Sequence, residues 1–199
     1  RVGARTFLRF NGAKYADKWV FGDCGAFSYV KMEVPPYSSE EIVEFYSDGQ
    51  FNHGCSVDHV IFEFDRALQG MAGGSEDAHR RFEITVNNAE SFLKASRTLG
   101  PSFTPVGVVQ GWSPGSMAEG ARRLERLGYQ YLALGGMVPL SADSIHACLQ
   151  EVRRTISPKV NLHILGFAKA EQIGEFQRYG IASFDSTSPL LRAFKDSRA

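Results

Sequence analysis

FTPVGVVQGWSPGSMAEGARRLERLGYQYLALGG, residues 103–136, decides the fold. Phe103–Gly111 is an apolar strand that ends in Gln110-Gly111, and Ser116–Leu127 is a helix stopped by Gly128. Tyr129–Gly136 is a second apolar strand, ending in two glycines. The same rhythm runs outward in both directions. Downstream, Ser141-Ala142-Asp143-Ser144 caps a helix to about Ile156, and a strand follows over Val160–Phe167. A helix over Ala170–Tyr179 is closed by Gly180, a strand covers Ile181–Asp185, and Leu190–Lys195 starts another helix. Upstream, Glu76–Leu99 is a long amphipathic helix through Phe82, Val86, Ala89, Phe92 and Leu93, stopped by Gly100-Pro101. Val57–Asp65 alternates as a strand, and Ser38-Ser39-Glu40-Glu41 opens a helix. Trp19–Asp23 is a short apolar run ending in an acid, while Thr6–Phe10 reads as a strand before the Asn11-Gly12 turn.

Five strand–helix units after Trp19 and a closing strand give six strands. They are mostly apolar, as expected when both faces are covered. Regular βα alternation means a parallel sheet, doubly wound or closed into a barrel. No linker divides residues 1–199, which read as one domain.

Composition narrows the class. The 199 residues are 43% hydrophobic and 22% charged, ordinary for a globular protein. Lys+Arg 22 balance Asp+Glu 22, which argues against a uniformly basic nucleic-acid surface but not against a local basic patch. No apolar run approaches the roughly 20 residues of a membrane span. Cys24, Cys55 and Cys148 are isolated, with no CxxC spacing, which argues against a disulfide framework and for a reducing, cytoplasmic setting. The chain starts at Arg1 rather than Met and is read as a piece without complete natural ends.

The strand exits carry the chemistry. They are Asp23, Asp65, Gln110, Gly135 with Gly136, Gly166, and Asp185. Parallel strands put all exits on one face, where loops converge. Three carboxylates, a carboxamide and approachable backbone suit a small polar heterocycle: Asp accepts from ring N–H and amino donors, and Gln donates to a ring carbonyl. Each residue alone has a plainer reading. Asp at a strand exit is usually a turn or cap, and the two glycines a tight turn. Gln110 serves loop backbone, and His163 is a hydrogen-bonded core histidine. Cys24 is a small buried hydrophobe, and Arg80-Arg81 and Arg122-Arg123 are solvated helix faces. Joint placement of the acids at three strand ends outweighs those readings.

The ordered set resembles the tRNA-guanine transglycosylase family. The stretches that carry the resemblance are Asp23-Cys24-Gly25-Ala26-Phe27-Ser28, Phe64-Asp65, Val109-Gln110-Gly111, Gly135-Gly136-Met137, His163-Ile164-Leu165-Gly166-Phe167-Ala168, and Phe184-Asp185 with Pro189. Ala67 and Ser28 depart from the family pattern, which has Cys and Gln there. The tail Ser186–Asp196 is similar to the DNA-acting branch of the family, which puts 7-deazaguanines such as preQ0 into DNA.

The resemblance implies a (β/α)8 TIM-type barrel, of which six strands are visible here, and base exchange in nucleic acid, with DNA favoured over tRNA. It implies Asp185 as nucleophile, Asp23 as general acid/base, and Asp65, Gln110, Gly135 and Gly136 as readers of a guanine or 7-deazaguanine. Leu165 joins them, and Met137 and Phe27 sandwich the base. Arg192, Lys195 and Arg198 are candidate contacts to the polynucleotide. No cofactor is visible; the family's zinc would need a Cys/His cluster beyond Ala199. A homodimer or heteromeric complex is the expected assembly, with no membrane partner. The rival readings are a tRNA enzyme, a non-catalytic family subunit, and an unrelated barrel lyase or aldolase. The last would want a strand-end Lys or a metal cluster, and the strand ends carry neither.

Overall fold

The computed structural model describes residues 2–167 and 173–196. Its strands are β1 (Phe21–Gly22), β2 (His53–Cys55), β3 (Thr104–Val109), β4 (Tyr131–Leu134), β5 (Asn161–Ile164) and β6 (Ile181–Phe184). They form one six-stranded sheet in sequence order, parallel at every pairing. The helices are α1 (Ala4–Phe7), α2 (Ser39–Gly49), α3 (Glu76–Ala95), α4 (Pro114–Leu127), α5 (Ala142–Thr155), α6 (Ile173–Phe176) and α7 (Ser188–Asp196). Four of them open on a serine that satisfies a free helical N–H. Ser38, Ser75, Ser113 and Ser141 accept from Glu41, Ala78, Ser116 and Ser144.

Alternation along the strands sorts the core into two layers. Val109, Leu132, Leu134, Leu162 and Ile164 belong to the cluster shared with the helices. Cys55, Val106, Val108, Tyr131 and Ala133 form a second cluster, joined by Phe21 and Leu165, on the other face. That inner face closes on itself. Phe21 of β1 stacks on His163 of β5, with ring centroids 4.6 Å apart and an interplanar angle of 16°. In a flat sheet, strands four places apart would lie roughly 19 Å from one another. The sheet is therefore curled into an open, barrel-like trough with β1 facing β5.

Two expected strands are not strands. Residues 57–65 form an irregular loop, and β2 is the three-residue run before it. Val57, Val60 and Ile61 are buried all the same, against the α3 layer, so the apolar pattern marks a packed loop. Arg81 of α3 pins that loop. Its guanidinium donates to the carbonyls of Val30 (3.1 Å) and Val60 (3.0 Å) and to His59 Nδ1 (2.8 Å). Arg81 is thus a strap between loops and not a solvated face, because three acceptors replace its water. Residues 6–10 belong instead to α1 and the turn after it. Arg5 holds that segment in an irregular wrap by donating to the carbonyls of Gln50 (3.1 Å), Tyr15 (3.4 Å) and Lys18 (3.0 Å). The helix expected over residues 170–179 is seen as α6 and a 3₁₀ turn over Gln177–Tyr179. Its first residues, together with Ala168 and Arg198, lie outside the described residues. Among the described residues, no helix is long and apolar enough to cross a membrane.

Candidate active site

The C-terminal ends of the strands surround a cavity of about 480 Å³, within the ~300–1,000 Å³ range of small-molecule sites. Asp23, Phe27, Gln110, Gly135, Gly136, Leu165 and Asp185 line it, together with Asp58, Val138 and the Ser186–Ser188 turn. Two expected residues are elsewhere. Asp65 is exposed in the loop after Asp58, where its Oδ1 accepts the Ala67 N–H at 2.8 Å. That local turn is the plain role of an acid after an apolar run. Met137 is buried in the helix-side core, and its neighbour Val138 reaches the cavity instead.

Asp58 takes the place expected of Asp65, three residues past β2. It is fully enclosed and wired. Gln110 Nε2 donates to Oδ2 at 2.6 Å, Cys24 Sγ donates to Oδ1 at 3.0 Å, and Tyr29 Oη donates to the Asp58 carbonyl at 3.0 Å. Burial pushes the Asp58 carboxyl up to about 6, against the opposing pull of the Cys24 and Gln110 hydrogen bonds. Burial likewise pushes the Cys24 thiol well up, which keeps its proton available to Asp58. Cys24 is therefore a polar partner as well as a buried one. Each Asp58 oxygen keeps a second lone pair, so the carboxylate can still accept two N–H groups from a ligand. The sequence signal for Asp58 was a carboxylate embedded in an otherwise apolar run.

The glycines after β4 make room for the Asp58–Gln110 pair. A Cβ on Gly135 would sit 2.2 Å from Gln110 Nε2. The Gly135 N–H is already given to the Val109 carbonyl at 2.9 Å, which leaves the Gly136 amide as the candidate backbone donor. Phe27 is exposed at the rim, its ring 6.2 Å from that of Phe62.

The same cavity holds the other two acids. Asp23 has its carboxyl pushed up by burial and by the charge of Asp185, opposed by hydrogen bonds from the Gly25 and Cys24 backbone. Asp185 follows β6. Burial raises its carboxyl too, but hydrogen bonds from His163 and the Gly166 N–H outweigh this and hold it below the usual carboxylate value. Its Oδ1 accepts from His163 Nε2 at 3.2 Å and from Gly166 N–H at 2.7 Å. Gly166 has φ +65°, a conformation that suits glycine. Two acids in one cavity are thus driven apart, one toward its protonated form and one toward its ionised form, as an acid and a nucleophile require.

The donor set for a zinc ion is not found among the described residues. Cys24, Cys55 and Cys148 are all buried, and no group of three His, Cys, Asp or Glu side chains is placed to hold a metal.

No protein-family profile matches the chain. It is 40% identical over 178 residues, 89% of its length, to a DNA-guanine transglycosylase of Salmonella montevideo, and covers 42% of that protein. It is 25% identical over 215 residues, 97% of its length, to a queuine tRNA-ribosyltransferase of Psychrobacter sp. (strain PRwf-1), covering 55% of that protein. The chain spans about half the length of the curated relatives it matches.

Proposed function

We propose, on the premise that this chain belongs to the tRNA-guanine transglycosylase superfamily, that it exchanges guanine in DNA for a 7-deazaguanine such as preQ0. Its six strands are then six of the eight in a (β/α)8 barrel, and residues 1–199 one barrel domain. The observation that carries the reading is the meeting of Asp23, Asp58, Gln110 and Asp185 around one cavity. DNA is favoured by the name of the 40% relative, and tRNA is the second reading, favoured by the name of the other.

Asp58 and Gln110 read the base edge. Asp58 accepts from the ring N–H and exocyclic amine, Gln110 donates its second amide hydrogen to the ring carbonyl, and the Gly136 amide supplements it. The nucleoside leaves the stack to reach the cavity. Asp185 attacks C1′; the C1′–O bond forms as C1′–N9 breaks, and the departing guanine takes the proton of Asp23. The incoming base then loses its N9 proton to Asp23 and attacks C1′, and the electron pair of the C1′–O bond returns to Asp185. Phe27 and Leu165 cover the base from either side. Arg192 and Lys195 of α7, the helix that starts three residues after Asp185, are the candidate contacts to the backbone phosphates. Three buried, free cysteines suit a cytoplasmic setting.

The test incubates the protein with labelled preQ0 and either duplex DNA or tRNA. Incorporation into DNA, with a denaturation-resistant protein–DNA adduct, is the expected result. Incorporation only into tRNA moves the substrate to the second reading, and failure with both polymers overturns the proposal.

A further inference from the structure

His163 plays no part in base reading or proton transfer, yet it is the most elaborately held side chain below the cavity. It is only 3% exposed. One ring face stacks on Phe21, whose ring also lies 5.8 Å from that of His53 and 6.3 Å from that of Tyr131. Its Nδ1 faces Ser183 Oγ at 2.6 Å, and its Nε2 faces Asp185 Oδ1 at 3.2 Å. Ser183 Oγ in turn meets Tyr131 Oη. An irregularity in the β5–β6 register sets this up. Leu162 pairs with Ile181 but His163 with Ser183, so β6 carries one extra residue, Ala182. A bulge of this kind re-aims the side chains that follow it.

The hydrogen bonds run in one direction. A carboxylate can only accept, so Nε2–H donates to Asp185. In the neutral imidazole Nδ1 then accepts the Ser183 hydroxyl proton, which leaves Ser183 Oγ to accept from Tyr131. Asp185 therefore fixes which ring nitrogen carries the proton, and Ser183 and Tyr131 complete the chain on the other side of the ring. Ser183, His163 and Asp185 could also suggest a hydrolytic triad, but the end that reaches the cavity is the carboxylate, and the serine points into the trough. Both Asp185 donors, His163 Nε2–H and Gly166 N–H, reach the same oxygen.

We propose that His163 is a positioning residue for the nucleophile: together with the Gly166 amide it clamps Oδ1 of Asp185, so that Oδ2 is the atom that attacks and leaves C1′. The inference rests on the role given to Asp185 above. In the glycosyl–enzyme, Oδ2 carries the sugar and Oδ1 is a carbonyl oxygen. When the second base attacks, the C1′–Oδ2 bond breaks and its electron pair returns to the carboxylate. The two fixed donors on Oδ1 then meet the developing charge without reorganising.

The experiment compares His163→Phe, which keeps a ring against Phe21, with His163→Gln, whose amide can still donate toward Oδ1. The phenylalanine variant is expected to lower kcat for exchange roughly 10- to 100-fold, the cost of one hydrogen bond to a charged group. KM for the free base should stay within about twofold. The acid limb of the pH profile should move to higher pH, and the glutamine variant should recover most of the rate. The titratable groups around Asp185 among the described residues are His163 on β5, Asp23 after β1, Cys55 on β2, Asp58 after β2 and Tyr131 on β4, and of these only His163 changes. A rate and acid limb unaltered in His163→Phe would overturn the clamp.

Carboxyl ¹³C titration of Asp185, without substrate, separates this inference from the function it rests on. If the parent protein exchanges no base but Asp185 titrates higher in His163→Phe, the function falls and the clamp stands. If exchange proceeds and the Asp185 titration does not move, the clamp falls. Should His163→Phe fail to fold, Ser183→Ala carries the same two readouts in the same direction with smaller size, and no movement in either overturns the inference.

Discussion

Asp58, after β2, and Asp185, after β6, line one cavity and are held in opposite ways. Asp58 is 2% exposed and bonded on both oxygens by Gln110 and Cys24, yet burial still lifts its carboxyl to about 6. The Asp185 side chain is 53% exposed, is bonded on one oxygen among the described residues, and is held below the usual carboxylate value. The difference lies in how the two sides are built. The β2 side is a packed loop strapped down by Arg81, so its acid is locked and dry. The β6 side is a strand end with a bulge beneath it, so its acid is anchored at one oxygen and open at the other. A locked acceptor suits recognition of a flat base edge, and an open, ionised oxygen suits attack on carbon.

The sharpest way to break this contrast is to remove the two acids outside the Asp58–Gln110 pair in turn. Asp185→Ala should abolish the trapped adduct and lower exchange by roughly 10³-fold or more. Survival of the adduct would move the nucleophile elsewhere. Asp23→Ala should cost roughly 10²- to 10⁴-fold in exchange, the range of a lost general acid. Because Asp23 is not assigned to the base edge, binding of free preQ0, measured by calorimetry, should persist. If binding disappears along with exchange, Asp23 belongs to recognition and the two sides are not specialised as described.

The locked side makes a prediction about folding. Asp58 binds its proton more tightly folded than unfolded, because its folded value of about 6 lies above the ordinary Asp value of 3.8. A raised carboxyl favours folding at low pH. That contribution is lost as pH rises from about 4 through about 6, and the cost is level above that. Two units correspond to about 3 kcal/mol. Asp58→Asn carries no such charge, so urea unfolding of the variant and parent from pH 4 to pH 7 should differ by a gap that grows in the variant's favour. A constant gap would show that Asp58 is not desolvated. The variant should also bind preQ0 more weakly at neutral pH, since an amide offers one acceptor oxygen where the carboxylate has two.

The same contrast explains what could be read from the sequence. From residue 103 onward the strands are apolar, the helices are serine-capped or amphipathic, and Gly128 and Gly180 close two of the helical segments, so local signals agree with the fold. Gln110, Gly135 and Asp185 stand directly after such strands and were legible for that reason. The β2 side gave the opposite result. Its strand is His53-Gly54-Cys55, too short and too polar to register as one. The apolar alternation that imitates a strand, residues 57–65, is loop packing against α3. Counting along that false strand led to Asp65, while the buried acid is Asp58. Arg81 looked like any helical arginine because its acceptors lie about 20 and 50 residues away in the chain. The partner of His163 was hidden by the bulge, which sequence periodicity does not show.

The smallest test concerns the wall between the two sides. Gly135 and Gly136 follow β4, and only the first is pressed against the reading pair. A Cβ at Gly135 would lie 2.2 Å from Gln110 Nε2 and 2.9 Å from its Cδ. A glutamine tip normally moves aside at little cost, but this one is buried and tied to Asp58 at 2.6 Å. Moving it loosens the Asp58–Gln110 bond and displaces the donor proposed for the ring carbonyl. Gly135→Ala should therefore weaken preQ0 binding about tenfold, the scale of one hydrogen bond. The rate of exchange at saturating base should change less, because Asp185 and His163 lie across the cavity. At Gly136 the nearest contact would be 3.2 Å, to Gln110 Oε1, so alanine there meets the φ of +71° more than the glutamine. Its cost should appear in unfolding stability, at about 1 kcal/mol, before it appears in base affinity. If instead the two variants lose base affinity equally, the tight fit at Gly135 does not set the position of Gln110, and the β4 wall does not support the locked side.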